Sequence, residues 1–161
     1  MNGITIVGIA DMKTANSGGK LVTYALGSCI GVSFYSPESK TGALLHYMLP
    51  NSKLSAEKAE AKPFMFADSG IYSTLVELQK IGVKKKGLIV KVAGGSNILD
   101  AGARFNIGKR NYLALKKILW KYNLMIKAED VGLSLSRNMT LDLNSGAVNI
   151  RYSGNPQEKI L

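Results

Sequence analysis

Cys29 and His46 are each the only residue of their kind among 161. A thiol becomes a nucleophile when a base takes its proton, and imidazole is the side chain suited to do so near neutral pH. Cys29 follows Gly27-Ser28, where a glycine-permitted bend would expose the sulfur and aim nearby backbone N–H groups at a developing oxyanion. Thr23, on the preceding segment, offers a hydroxyl or a neighbouring backbone acceptor to orient the imidazole. If the three converge, Cys29 can attack a carboxamide carbon, His46 can protonate the departing ammonia, and water can hydrolyse the resulting thioester. The net change is amide to carboxylate.

Each residue also has a bland role. Cysteine is among the most buried residue types, a sheet histidine is often satisfied locally, and threonine suits strands by its β-branched shape alone. The spacing between Cys29 and His46 does not establish proximity, but antiparallel pairing of their two segments would bring them together. Structural elements therefore decide the matter.

Ile4-Thr5-Ile6-Val7 reads as a strand, with a polar loop expected over Thr14–Gly19. Strands follow at Lys20–Leu26 and Cys29–Tyr35, the latter placing Ile30, Val32 and Phe34 on one face and Cys29, Gly31, Ser33 and Tyr35 on the other. After a turn at 36–42, Ala43–Leu49 forms another strand, with His46 on the face of Leu44 and Met48. Ser55 can open a short helix. A longer helix starts near Asp68 or Ser69, presents Ile71, Leu75, Leu78 and Ile81 as an apolar stripe, and ends with Gly82 as its cap. Lys86–Ala93 is a strand leading to the flexible turn Gly94-Gly95-Ser96-Asn97. A basic amphipathic helix spans Lys109–Tyr122, followed by strands at Leu124–Ala128 and Met139–Leu143 and a terminal hairpin through Asn144-Ser145-Gly146 to Val148–Tyr152.

Strands interspersed with two substantial helices favour an α+β fold, a layered α/β sandwich with a mixed β-sheet, in a single domain over 1–161. A doubly wound nucleotide fold is the weaker alternative, because regular alternation with long crossover helices is missing from the first half. The glycine pairs make neither a P-loop nor a dinucleotide fingerprint and read as turns. In the 94–97 turn, Gly94 and Gly95 would hold a loop near the site, with Ser96 and Asn97 bonding that loop or a substrate backbone.

Twenty-one Lys and Arg against eleven Asp and Glu give a formal charge of +10, which predicts attraction to an anionic partner. Aromatic residues do not recur among the basic sites as base-stacking platforms would, so nucleic acid is disfavoured. No apolar run approaches the about 18 residues of a spanning helix, and direct membrane insertion is not expected. A lone cysteine fits a reducing, cytoplasmic setting. One cysteine and one histidine cannot make a common zinc site, and neither metal nor cofactor is expected.

The runs Leu26-Gly27-Ser28-Cys29 and His46-Tyr47-Met48-Leu49-Pro50 resemble the signature of the CheD family of chemoreceptor glutamine deamidases. The resemblance continues through Lys91-Val92-Ala93-Gly94-Gly95 and Ile107-Gly108-Lys109-Arg110-Asn111 to the segment after Asp130. It implies a cytoplasmic cysteine hydrolase (a protein-glutamine glutaminase) acting on the cytoplasmic domains of methyl-accepting chemotaxis receptors. Cys29 matches the nucleophile, His46 its acid–base partner and Thr23 the third member. It further implies association with CheC, a phosphatase of the chemotaxis response regulator, and raises Gly94, Gly95 and Asn111 as site supports beside Gly27 and Ser28. One departure stands out: Val131-Gly132-Leu133 replaces the family's paired glycines after the aspartate. The competing functional reading is a weakly active or noncatalytic module that binds CheC.

Overall fold

The computed structural model describes residues 3–98 and 105–161. Among the described residues ten strands form two five-stranded sheets. β1 (Ile4–Val7) pairs parallel to β3 (Lys20–Leu26), and β8 (Arg137–Asp142), β9 (Val148–Tyr152) and β10 (Glu158–Ile160) continue that sheet antiparallel. The second sheet runs β2 (Asp11–Ala15), β5 (Thr41–Tyr47), β4 (Ile30–Ser36), β6 (Ile89–Gly94) and β7 (Ile126–Val131), antiparallel except for β6 and β7. The parallel pair is joined by α3 (Ile107–Lys121), as such a crossover requires. α2 (Ala67–Lys80) packs on the same side, and α1 (Ala56–Ala61) is short and exposed, capped by the Ser55 hydroxyl.

Two apolar clusters define three layers. Ile30, Val32 and Phe34 on β4 meet Ile71 and Leu78 of α2 and Leu115 and Leu119 of α3. Leu21, Leu26, Met139 and Leu141 of the first sheet meet Tyr35 and Leu44 of the second. β4 and β5 are therefore buried on both faces, and their alternation sends Gly31 and His46 between the sheets. This is the α+β layered sandwich expected from the sequence.

Several boundaries depart from expectation. The predicted loop at Thr14–Gly19 begins only at Asn16, because β2 extends to Ala15 by pairing with β5; only Met12 in β2 is buried, so no apolar alternation announced it. The strand expected over Ala43–Leu49 runs Thr41–Tyr47, and the Met48 and Leu49 N–H groups turn instead to the Met65 carbonyl. Asp68 does not cap α2, since its carboxylate accepts from the Ser52 N–H and hydroxyl, and the helix opens after Phe66 without a side-chain cap. Ile81 lies past the last turn and is 52% exposed, outside the apolar stripe. Gly82 has the left-handed φ of +85° suited to ending that helix. β6 starts at Ile89 rather than Lys86, and β7 occupies Ile126–Val131 rather than Leu124–Ala128.

Candidate active site

The β4–β5 hairpin creates the site. Gly31 lies directly opposite His46, and a Cβ at Gly31 would crowd Met139 Sδ at 2.8 Å and Leu26 at 3.0 Å. The missing side chain lets the sheets approach over the imidazole. Cys29 precedes β4 by one residue, in a bend formed with Gly27 and Ser28, and is half-buried against the cluster between the sheets. It lies two residues before Gly31 and packs on the cluster between the sheets, the side toward which His46 alternates on β5.

Thr23 fixes the imidazole. Its Oγ1 lies 2.7 Å from His46 Nδ1 and donates at 2.8 Å to the Val7 carbonyl. A hydroxyl has one proton; given to Val7, it leaves the oxygen to accept from Nδ1–H. That assignment puts the proton on Nδ1 and leaves Nε2 with a free lone pair, and Nε2 is buried without a partner. Immediately after Thr23 the β3–β8 register shifts, with Ala25 at φ +57° and its N–H on Asn138 Oδ1, a bulge that bends the strand beside the site.

Burial acts oppositely on the two titratable groups. It pushes the His46 imidazole down to about 4, so the ring rests neutral. It raises the Cys29 thiol, with the residue's own backbone N–H working in the lowering sense. At neutral pH Cys29 is a thiol and His46 a neutral imidazole.

The other candidate residues form the frame. Gly95 N–H donates 2.8 Å to the Cys29 carbonyl and Ser96 N–H 2.8 Å to the Gly27 carbonyl. Gly94 has φ +109°, and a Cβ there would collide with the Cys29 carbonyl oxygen, so this position requires glycine. Ser96 is fully buried with an unpaired hydroxyl; Asn97 lies outside, its N–H on the Leu133 carbonyl and its Oδ1 accepting from Ser134. Asn111 Nδ2 donates to the carbonyls of Ser28 and Met48 at 2.9 and 2.8 Å. At the departure after Asp130, Leu133 takes φ +62°, a left-handed conformation at a residue carrying a Cβ.

Two participants were not anticipated. The Val7 carbonyl sets the Thr23 hydroxyl, but a main-chain acceptor leaves no mark in sequence. Arg137, fully buried, bonds Asp130 Oδ1 at 2.6 Å and the carbonyls of Gly94 and Gly132, holding the loop under Cys29. A charged residue at the start of a strand was its only signal.

The class is thus an α+β sandwich with a buried threonine–histidine pair and one cysteine half-buried at the head of β4. A family model described as CheD chemotactic sensory transduction matches residues 48–152. The chain is 45% identical over 159 residues to a protein of Syntrophus aciditrophicus named "Probable chemoreceptor glutamine deamidase CheD 1", covering 98% of this chain and 99% of that one. It is 42% identical to similarly named CheD proteins of Solibacter usitatus, over 96% of this chain and 92% of the relative, and Syntrophotalea carbinolica, over 96% and 98%. This chain belongs to the CheD family.

Proposed function

We propose that this protein is a cytoplasmic chemoreceptor glutamine deamidase, hydrolysing selected glutamine side chains of methyl-accepting chemotaxis receptors to glutamate and ammonia. Cys29 is the nucleophile, His46 the acid–base group and Thr23 the residue that fixes its tautomer. The observation that carries this reading is the Thr23–His46 bond, which leaves Nε2 without a hydrogen-bond partner between the sheets where Cys29 also packs. The names of relatives matching nearly the whole chain support the substrate class.

The chemistry closes without a cofactor. The Cys29 thiol proton passes to Nε2 while sulfur bonds the carboxamide carbon, and the Cys29 N–H offers a donor for the oxyanion. The C–N bond breaks as His46 returns the proton to nitrogen, releasing ammonia and leaving a thioester. Water then attacks, giving its proton to Nε2; the C–S bond breaks, the glutamate carboxyl leaves and sulfur recovers the proton. Exposed Lys109 and Arg110 on α3, flanking the site frame, supply positive charge toward an acidic receptor surface. CheC, the response-regulator phosphatase, is the second partner in this reading.

Incubation with receptor cytoplasmic fragments tests it, with glutamine-to-glutamate conversion read by peptide mass. The wild type converts; Cys29→Ala and His46→Ala, folded by thermal melting, do not. A wild type that converts no cognate receptor glutamine yet alters CheC turnover would establish the regulatory-module reading instead.

A further inference from the structure

Asn111 lies in the second turn of α3, fully buried, and its bonds reach both sides of the Cys29–His46 pair. Nδ2 donates to the carbonyl of Ser28, just before the cysteine, and to that of Met48, just past the histidine segment. Its own backbone carbonyl accepts from the Tyr47 hydroxyl at 2.7 Å. These contacts fall where strand pairing stops. The last paired residues of β4 and β5 are Ile30 and Tyr47. Beyond them the Cys29 carbonyl accepts from Gly95 N–H, while the Met48 and Leu49 N–H groups go to Met65, so main-chain bonds draw the two chains toward different neighbours. The Asn111 amide joins them across that gap. With both Nδ2 protons committed to carbonyls, its orientation is also fixed, because a flipped amide would set oxygen against two oxygens.

We propose that Asn111 is a positioning residue that sets the sulfur–imidazole distance by tying Ser28 to Met48; this deepens the deamidase reading and rests on it for the chemistry. Small displacements at such a pair are expensive, a shift of about 1 Å lowering turnover by about 10²-fold. A residue acting this way moves kcat rather than KM and acts through His46. Packing alone does neither.

Cys29 is the only cysteine, so iodoacetamide uptake reads its sulfur without a receptor present. Asn111→Ala removes the clamp, and Asn111→Asp keeps the shape while replacing the donor; thermal melting selects whichever folds. Expected in the folded variant are a fall in kcat of about 10²-fold with KM nearly unchanged, and alkylation about tenfold slower, down to the His46→Ala level. Combined with His46→Ala, the substitution should slow alkylation no further. Wild-type alkylation and kcat in the folded variant, or losses that multiply with those of His46→Ala, would overturn the proposal. The alkylation comparison stands or falls separately from receptor deamidation.

Discussion

Two buried polar clusters adjoin the loop at Gly94, and they are built oppositely. In one, Asp130 accepts from Arg137 and Tyr152 and pairs with Lys159, while Arg137 also donates to the Gly94 and Gly132 carbonyls. Burial pushes the Asp130 carboxyl up, but the bonds from Tyr152, Lys159 and Arg137 outweigh it and hold the group below its usual range. In the other, around Gly27–Cys29, His46 Nε2, Ser96 Oγ and Asn111 Oδ1 are buried without partners; among the described residues they are the only buried side-chain polar atoms in that condition. Native proteins seldom leave such atoms bare, and each calls for its own explanation. On the proposed mechanism the satisfied cluster serves stability and the unsatisfied one serves chemistry.

Arg137→Met breaks the first cluster at its centre and should have the largest effect on stability. Removing one partner of a buried pair costs about 3–5 kcal/mol, toward the lower end here because Tyr152 and Lys159 remain on Asp130. Urea denaturation should show that loss, with deamidation per folded molecule changed only a few-fold. Abolished activity in a fully folded variant would erase the distinction between the clusters.

Acid attacks the second cluster. His46 binds a proton near 6.5 in the unfolded chain but only near about 4 when folded, so the unfolded state holds more protons between those values. The associated stability is complete above about pH 6.5 and declines as pH falls toward 4, by at most about 3 kcal/mol. That portion of the pH slope should vanish in His46→Ala. An unchanged slope would mean the imidazole is not held neutral by burial.

Thr23→Val sharpens the contrast further. It strips the hydroxyl from both Val7 and Nδ1, so the free nitrogen is no longer specified. Deamidation should fall about 10- to 100-fold, with a stability loss of about 1–3 kcal/mol from the orphaned groups. A kcat equal to wild type would remove Thr23 from the mechanism.

The smallest effect belongs to Leu133→Gly. The side chain is 68% exposed and its backbone left-handed, so glycine should relieve strain and stabilise by about 0.5–1 kcal/mol in thermal melting. A destabilised variant would mean that the Leu133 side chain contributes more than its exposure suggests.

The sequence carried local order further than tertiary contact. β3 was legible end to end because Lys20–Leu26 lies between a glycine pair and Gly27-Ser28, and the inward triplet Ile30, Val32 and Phe34 followed from alternation. β10, with all three residues exposed, offered no apolar pattern and depends on β9 for its form. At the site, hairpin pairing accounts for the meeting of the Cys29 and His46 segments, whose residue types were readable. The clamps were not: Asn111 reaches Ser28 and Met48 across 83 and 63 residues, and Arg137 reaches the Gly94 carbonyl across 43. No local periodicity encodes such bonds.

The mechanism requires the Cys29 sulfur to bond the substrate carbon. Acid-quenching the wild type during turnover of a receptor glutamine peptide and weighing the intact protein tests it directly. A transient adduct at Cys29 equal to the peptide less ammonia is expected, absent from Cys29→Ala, which should also leave the peptide unconverted. Undiminished conversion by Cys29→Ala, with no adduct on the wild type, would contradict it.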